Sequence, residues 1–303
     1  MEALSISNLS KTYSTGVKAL KHINLTIESG DFFALLGANG AGKTTMIGIL
    51  TSLVVKTEGV VKVFDKDLDK DINYIKSQIG VVPQEFNFSI FDKVKDIVVW
   101  QAGYFGISRG EASDKADKIL DQLGLGEKKD DIAKNLSGGM KRRLMIARAL
   151  IHSPKFLILD EPTAGVDVEL RYGMWEYLKK LNHEQGVTIL LTTHYLEEVE
   201  QLCKNAAIIK DGEIVKKDSV KSLLTSLNKE TYQFDVKGNT SNLEVKDYDV
   251  VSIDEDKLEV TFQKEQNIND FVIKLNNKNI NIYGIRPKGN RLEELFLNIV
   301  KNK

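Results

Sequence analysis

A glycine-rich loop at residues 37–45, with the sequence G-A-N-G-A-G-K-T-T, carries the clearest chemical signal in the chain. It matches the pattern G-x-x-x-x-G-K-[ST]. In this pattern the glycines let successive backbone N–H groups turn toward one anion, and the following helix directs its positive end at the same anion. Lys43 is expected to reach the β and γ phosphates of a nucleotide, and the hydroxyl of Thr44 to hold Mg²⁺.

The residues on either side of this loop fit that chemistry. The apolar run Phe32–Leu36 predicts a buried strand, and the stretch Lys43–Leu53 predicts the helix that the loop should open. A flexible surface turn rich in glycine would lack this context. We therefore expect the loop to bind a nucleotide.

Two acids follow an apolar run at residues 156–161, which read F-L-I-L-D-E. A buried strand would deliver Asp160 rigidly to the edge of the phosphate site, where its carboxylate can hold Mg²⁺ or the waters around it. Glu161 would then be placed to polarise an attacking water. An acidic strand end that faces solvent is the alternative, but the upstream phosphate loop makes it the weaker one.

Residues 135–143, N-L-S-G-G-M-K-R-R, predict a second helix start. Ser137 is a good N-cap, and the two glycines after it would let the backbone approach an anion closely. The basic residues lie in the first turn, where the helix dipole disfavours cations, so some other demand must place them there. On these residues alone, an ordinary capped helix with a solvated basic face is the stronger of the two interpretations.

Composition limits the function classes. The 303 residues suffice for one large domain and a small one, and a net charge of −1 gives no basic footprint for nucleic acid. A single cysteine, Cys203, suits a reducing compartment. The N-terminus does not resemble a signal peptide, and no apolar stretch approaches the ~18 residues that cross a bilayer. We therefore expect a soluble, cytoplasmic chain whose membrane role would come through a partner.

The apolar pattern predicts an α/β fold. Alternating runs at Leu4–Leu9 and Ile23–Ile27 predict an antiparallel sheet with one wet face. A helical stretch at about Asp92–Leu125 predicts an inserted helical subdomain over about residues 92–152, and the turn Asp211-Gly212 predicts a terminal hairpin. Short apolar runs with helical patterns between them predict a parallel core built from Phe32–Leu36, Ile79–Val82, Phe156–Leu159 and Val187–Thr192.

The character of the chain changes near residues 224–229, beyond which Asn, Lys and Asp are frequent. Helical stretches are predicted at Ile268–Leu275 and at residues 291–301. We expect a nucleotide-binding domain over residues 1–224 and a small α+β accessory domain over 225–303. Strand-like runs in the second domain are Tyr232–Val236, Val250–Ile253, Leu258–Phe262 and Ile280–Ile285.

Together these motifs resemble the ATP-binding subunit of an ATP-binding cassette (ABC) transporter, over about residues 1–220. The resemblance rests on the order of the phosphate loop, Pro83-Gln84, LSGGM, LILDEP, A-G-V-D at 164–167 and T-T-H at 192–194. The sequence LSGGMKRRL and the single nucleotide domain resemble the type-2 exporters. Residues 136–203 are most similar to YadG-type ATPases, which pair with a separate membrane permease. The implied fold is a P-loop NTPase core with a mixed parallel sheet, an antiparallel β subdomain and an inserted helical subdomain.

The resemblance also implies roles for individual residues. Glu161 corresponds to the catalytic glutamate and His194 to the switch histidine that contacts the γ phosphate, with Lys43 and Gln84 assisting. Gln84 would contact Mg²⁺ and the water, on a loop that also faces the permease. Tyr13 would stack on adenine. Implied metal ligands are Thr44, Gln84 and Asp160, and implied ATP contacts in the loop are Gly37, Asn39, Gly40, Ala41, Gly42, Lys43, Thr44 and Thr45.

A second set of residues is implied to act on ATP held by another subunit. Ser137, Gly138 and Gly139 correspond to the signature that covers that γ phosphate, and Asp167 to the loop that links the two sites. Met140 stands where many family members carry Gln, and the loop reads A-G-V-D rather than S-G-L-D or S-A-L-D. Neither departure removes the Ser and Gly contacts.

The implied function is ATP hydrolysis, with ATP and Mg²⁺, that powers an export complex through head-to-tail dimerisation. The implied partners are a second copy of the chain and a polytopic permease, at the cytoplasmic face of the inner membrane. An importer subunit would share all this chemistry and stays open. A soluble ATPase of the superfamily that acts on nucleic acid or ribosomes is the other alternative. The chain lacks the long coiled coils or the second cassette of such proteins.

Overall fold

The computed structural model describes residues 1–225, 229–238, 240, 243–263, 265–288 and 292. The chain divides into two compact units, Met1–Asp218 and Ser219–Lys303. No helix in these described ranges is long and apolar enough to cross a membrane. The elements of the first unit are β1 (Glu2–Thr12), β2 (Lys18–Glu28), β3 (Phe32–Leu36), α1 (Lys43–Leu50), β4 (Glu58–Val63), β5 (Lys66–Asp67), α2 (Ile72–Gln78), β6 (Ile79–Val82), α3 (Val94–Gly103), α4 (Arg109–Gln122), α5 (Gly138–Leu150), β7 (Phe156–Asp160), α6 (Val168–Gln185), β8 (Thr188–Thr192), α7 (Leu196–Leu202), β9 (Asn205–Lys210) and β10 (Glu213–Ser219).

A six-stranded sheet in the order β10-β9-β3-β8-β7-β6 forms the centre of the first unit. The pairs β3–β8, β3–β9, β7–β8 and β6–β7 are parallel, which confirms the predicted α/β core. All side chains of β3 and β8 are buried, as expected for strands covered on both faces. Because β3, β8, β7 and β6 are neighbours and run the same way, the loops after them emerge at one edge of the sheet.

A second, antiparallel sheet in the order β2-β1-β4-β5 lies beside this core, as predicted. Its inner residues, such as Leu4 and Ile23, share one hydrophobic cluster with Met46 of α1 and with Phe33 of β3. The helix that follows the phosphate loop is therefore fixed by packing against both sheets.

The helical insertion consists of α3, α4 and α5. The stretch predicted as helical over about residues 92–125 consists of two helices, because the chain turns at Gly106, where φ is 74°. α4 begins at an N-cap, Ser108, whose hydroxyl accepts from Glu111 N at 3.4 Å. The turn folds α4 back against α3, and α5 packs against both.

The second unit begins with α8 (Val220–Thr225) and contains an antiparallel sheet in the order β12-β13-β11-β14. Its core joins Phe234, Phe262 and Phe271, whose rings lie 5.1 to 6.1 Å apart. The predicted α+β character and the helix near residue 268 are confirmed, whereas the helix predicted at 291–301 lies, except for Leu292, outside the described residues. The remaining elements are β11 (Lys229–Lys237), β12 (Asp249–Asp254), β13 (Lys257–Gln263), α9 (Ile268–Asn276) and β14 (Asn281–Pro287).

Candidate active site

The phosphate loop connects β3 directly to the first residue of α1, Lys43. Gly42 caps this helix with φ at 116°, a conformation that side-chain-bearing residues rarely adopt. A Cβ at Gly42 would also lie 2.8 Å from the carbonyl oxygen of Ala19. Glycine is thus required here twice over, and it lets the chain enter α1 with the N-terminal N–H groups free to face an anion.

The ammonium group of Lys43 lies over this loop. Its Nζ donates to the carbonyl oxygen of Gly37 at 2.6 Å and to that of Ala38 at 3.1 Å. Burial lowers the pKa of Lys43 from its ordinary value, and the nearby carboxylates of Glu161 and Asp160 oppose that shift. An anion bound at the loop would stabilise this partly desolvated ammonium group, so the site suits a phosphate.

Asp160 ends β7 and lies opposite Thr192, the last residue of β8. The Thr192 hydroxyl donates to Oδ1 of Asp160, and it also lies 3.5 Å from the carbonyl oxygen of Leu159. Thr192 is fully buried. The orientation of the Asp160 carboxylate is therefore set by a hydroxyl that solvent does not reach.

Glu161 has an unusual backbone conformation, with φ at 49° in the left-handed region. Its N–H donates to the carbonyl oxygen of Thr192 at 2.9 Å, which holds this strained turn against β8. Thr192 thus contacts both acids, one through its hydroxyl and one through its carbonyl group.

Two predicted site residues converge on the same oxygen of Glu161. Nε2 of Gln84 donates to Oε2 at 3.0 Å, and Nδ1 of His194 lies 3.4 Å from that atom. The side chain of Glu161 is 15% exposed and that of His194 is 57% exposed, so the carboxylate lies deeper than the imidazole. Residues from the loops after β6, β7 and β8 therefore meet at one carboxylate.

Arg142, which sequence analysis left without a role, holds the Gln84 loop. Its guanidinium donates to the carbonyl oxygens of Pro83 and Gln84, both at 2.9 Å, and lies 5.1 Å from the ring centre of Phe86. Arg142 is buried, and burial lowers its pKa. This contact explains why a cation lies near the start of α5, at its fifth residue. No sequence signal points to partners 58 and 59 residues away.

Tyr13 lies beside the phosphate loop. Its hydroxyl is 3.3 Å from Oγ1 of Thr45, and Nζ of Lys11 lies 4.9 Å from the ring centre. The ring is partly exposed, at 37%. The predicted adenine contact is thus placed next to the loop with part of its ring accessible.

The signature residues are arranged around the start of α5. Oγ of Ser137 accepts from Met140 N at 3.3 Å, which confirms the predicted N-cap. A Cβ at Gly139 would lie 2.6 Å from a methyl group of Leu170, whereas one at Gly138 would meet no described atom within 4 Å. The carboxylate of Asp167 caps α6 by accepting from Leu170 N at 3.0 Å. Among the described residues, Ser137 and Asp167 form no hydrogen bond with the phosphate loop, so no hydrogen bond links this second set to the first.

The donor set at the sheet edge fits a hard, oxygen-seeking cation. Thr44 supplies a hydroxyl, Asp160 a carboxylate and Gln84 an amide oxygen, which are groups that Mg²⁺ accepts. In the described part of the chain no three His, Cys, Asp or Glu side chains converge as a metal cluster. Mg²⁺ is bound by few protein ligands plus phosphate oxygens in nucleotide sites, so the site suits Mg²⁺ bound together with a nucleotide.

Comparison with known proteins agrees with this geometry. The family model described as ABC transporter matches residues 20–164. The linearmycin resistance ATP-binding protein LnrL of Bacillus subtilis is 34% identical over 307 residues, covering 98% of this chain and 97% of that protein. The Nod factor export ATP-binding protein I of Sinorhizobium fredii is 39% identical, covering 69% of this chain and 61% of that protein. The methionine import ATP-binding protein MetN of Clostridioides difficile is 34% identical, covering 70% and 67%.

Solved structures give the same result for the fold. The ATP-binding cassette MJ0796, in a dimeric post-hydrolysis state bound to ADP and Pi, aligns with a TM-score of 0.66 at 29% identity over 72% of this chain and 98% of that one. The protein cbiO1 from Clostridium perfringens, part of the transporter complex cbiONQ, aligns with a TM-score of 0.68 at 31% identity over 74% and 91%. The chain therefore belongs to the ABC transporter family, in which it is an ATP-binding subunit that hydrolyses ATP.

Proposed function

We propose that this subunit powers an export complex of the type-2, YadG-like kind, through ATP-driven head-to-tail dimerisation. The observation that carries the ATPase mechanism is the convergence of Gln84 and His194 on one oxygen of Glu161. Export is supported by the similarity to the Nod factor export ATP-binding protein I of Sinorhizobium fredii. The similarity to the resistance protein LnrL also includes the second unit. MetN-like import is the second candidate, because the ATPase core is also similar to that importer.

In this proposal Glu161 polarises the attacking water. Gln84 and His194 hold its carboxylate from two sides, and His194 also contacts the γ phosphate. Lys43 and the N–H groups of residues 37–45 stabilise the charge that develops on the γ phosphoryl group. Tyr13 stacks on the adenine. Each of these groups is fixed by a strand end or a helix start, which keeps the geometry rigid.

Mg²⁺ would be held by the hydroxyl of Thr44, the carboxylate of Asp160 and the amide oxygen of Gln84. The bound ion would neutralise charge on the β and γ phosphates. The buried hydroxyl of Thr192 orients one of these ligands, Asp160, from behind.

The dimer is proposed from the signature residues. The N-terminus of α5 presents Ser137, and a Cβ at Gly138 would meet nothing within 4 Å in the part of the chain that the structure describes. A helix N-terminus with an open glycine next to it suits an anion that another molecule carries. We assign that anion to the γ phosphate of ATP on a second copy, with Asp167 on the loop between the two sites. Residues 225–303 would form an accessory domain.

A cleft of about 1120 Å³ beside the Gln84 loop is the proposed contact for the permease. Leu53 and Tyr104 line it and are 85% and 86% exposed. Its fixed charges are all positive, and they are those of Lys76, Lys115, Arg148 and Lys155. Pro83 and Asn87 place the Gln84 loop on the wall of this cleft, so a partner seated there would act on the residue that holds Glu161.

The decisive variant for the proposed mechanism is Glu161→Gln. It should leave ATP binding intact, abolish most turnover, and trap a closed dimer that size-exclusion chromatography detects with ATP and Mg²⁺. Glu184→Gln changes an exposed acid at the far end of α6 and serves as the matched control. Turnover near the parent's rate in Glu161→Gln would remove Glu161 from the catalytic role.

Affinity purification from native membranes tests the partner. Recovery of a polytopic membrane protein supports transport, whereas recovery of ribosomes or DNA contradicts it. Substrate movement in vesicles that contain the recovered complex then separates export from import by its direction.

A further inference from the structure

A second glutamate near the site, Glu198 of α7, is fully buried. Its Oε1 accepts from the hydroxyl of Thr163 and from Nε1 of Trp175, the latter at 3.1 Å. Its Oε2 is buried and has no hydrogen-bond partner among the residues that the structure describes. Burying such a group lowers stability unless its hydrogen bonds compensate. The hydrolysis mechanism proposed above gives this carboxylate no task.

The two donors to Glu198 come from separate parts of the fold. Thr163 lies two residues after Glu161, on the turn that leaves β7. Trp175 lies on α6, the helix that Asp167 caps. Glu198 itself lies four residues after His194. One carboxylate oxygen therefore joins the segment of the catalytic glutamate, the segment of the switch histidine and the body of α6.

The segment between His194 and Glu198 is itself well ordered by hydrogen bonds. Glu198 N donates to the carbonyl oxygen of Tyr195 at 3.0 Å, and Tyr195 N donates to Oγ1 of Thr193 at 3.0 Å. The guanidinium of Arg171, on α6, lies 4.7 Å from the ring centre of Tyr195. A displacement at Glu198 would thus pass along a short, stiff segment to the imidazole.

We propose that Glu198 is a positioning residue for ATP hydrolysis. It holds the segment of His194 in register with the turn of Glu161, and so maintains the 3.4 Å approach between Nδ1 and Oε2. This inference rests on the catalytic roles proposed for Glu161 and His194. Among the described residues Glu198 makes its hydrogen bonds to Thr163, Trp175 and Tyr195 and not to Glu161 or His194, so its effect is on their relative placement.

The first test separates turnover from binding. Glu198→Ala removes the acceptor for both donors and should lower kcat on the order of 10- to 100-fold while the Kd for ATP stays near the parent's. Glu198→Gln keeps an acceptor oxygen for Thr163 and Trp175, and should retain most of the turnover. Glu197→Gln is the matched control, because that neighbouring carboxylate is exposed and accepts from Tyr172 at 3.2 Å. An unchanged kcat in Glu198→Ala, or parallel losses of kcat and ATP affinity, would overturn the proposal.

A double-mutant cycle tests the route through His194. In a His194→Ala background, single-turnover phosphate release should lose little more when Glu198→Ala is added, because the group it positions is absent. Equal fold losses in both backgrounds would show an independent, structural effect. If Glu198→Ala does not fold, Thr163→Val takes its place in the same cycle, since it removes one donor and leaves the carboxylate. Failure of the proposed catalytic role appears separately, as turnover that persists in Glu161→Gln.

Discussion

The hydroxyl of Thr192 donates a hydrogen bond to the carboxylate of Asp160, directly across the β7–β8 pairing. Both residues end their strands, and the Thr192 side chain is fully buried. Removing a group that orients a metal ligand typically lowers metal affinity or activity 10- to 100-fold. The position of Thr192 behind Asp160 gives it this role for the proposed Mg²⁺ site.

We therefore expect Thr192→Val to raise the Mg²⁺ concentration needed for half-maximal ATPase activity, by about 10- to 100-fold at saturating ATP. Valine has nearly the same shape but no hydroxyl, so Asp160 loses its donor without a large change in packing. A magnesium titration of the purified protein measures this directly. Thr188→Val is the control, because Thr188 is buried at the other end of β8 and its hydroxyl accepts from Gly30 N. If both variants show the same Mg²⁺ requirement, Thr192 does not orient a metal ligand.

The lowered pKa of Lys43 predicts a pH dependence of ATP binding. Because burial favours the neutral amine, the charged form that attracts the triphosphate is lost at a lower pH than for an exposed lysine. The Kd for ATP should therefore rise as the pH is raised from about 8 toward the ordinary lysine pKa of 10.5.

Lys43→Arg supplies the comparison, since a guanidinium stays charged throughout this range. The Kd of Lys43→Arg for ATP can be higher than the parent's at every pH, but it should depend less on pH. Equilibrium binding of a fluorescent ATP analogue across the alkaline range measures both slopes. Parallel slopes would mean that another group controls the dependence.

Local pattern was enough to predict the strands that carry the site. β3 and β6 have the predicted bounds, because apolar runs between helices are typical of buried parallel strands. The helix predicted over Lys43–Leu53 ends at Leu50, since the N–H groups of Leu53 and Val54 both return to the carbonyl oxygen of Gly48. That reversal brings Val54 against Gly48, a contact no periodicity reveals.

The long-range contacts within the site could not be predicted from the sequence. Arg142 looks like a solvated basic residue in sequence, and its carbonyl partners lie in a distant loop. Glu198 looks like one acid of a charged helix start, L-E-E-V-E, yet it is fully buried. The left-handed backbone conformation of Glu161 could not be predicted either, because the residue is not a glycine and so gives no sequence signal for a positive φ. In each case the partner is set by how the strands assemble rather than by neighbours in the chain.

His152 predicts a loss of stability in mild acid. Its ring stacks on Phe105 at 3.7 Å, its Nε2 lies 3.0 Å from the carbonyl oxygen of Ile79, and burial lowers its pKa below the ordinary 6.5. The unfolded chain therefore takes up a proton as the pH falls through 6.5, while the folded chain does so only at lower pH. The contribution of His152 to the free energy of unfolding should therefore be fully present above pH 6.5. It should decrease as the pH falls below that value.

Denaturant unfolding at pH 7.5 and at pH 5.5, two pH values chosen about one unit on either side of the ordinary histidine pKa, measures this change. His152→Gln should lose less stability between the two pH values than the parent does, even if it is less stable at both. His183→Gln replaces an exposed histidine on α6 and should follow the parent's profile. An equal acid loss in His152→Gln and the parent would assign the effect to other groups.

Arg142 should couple the Gln84 loop to catalysis without contacting ATP. Lysine at this position offers one compact donor group and cannot span the carbonyl oxygens of both Pro83 and Gln84. Arg142→Lys should lower the free energy of unfolding by about 1–3 kcal/mol, because a partly buried carbonyl oxygen loses its charged donor. It should also lower kcat while the Kd for ATP changes little, since Gln84 holds Glu161 rather than the phosphates.

Arg143→Lys is the matched control, because within the described ranges Arg143 donates one side-chain hydrogen bond, at 3.2 Å to the carbonyl oxygen of Leu123, away from the Gln84 loop. Steady-state ATPase assays and equilibrium ATP binding on the two variants separate the effects. A lowered kcat in Arg142→Lys alone supports positioning of Gln84. If Arg142→Lys loses stability yet keeps the parent's kcat, then the arginine stabilises the packing of the loop against α5. It would not be needed for the hydrogen bond between Gln84 and Glu161.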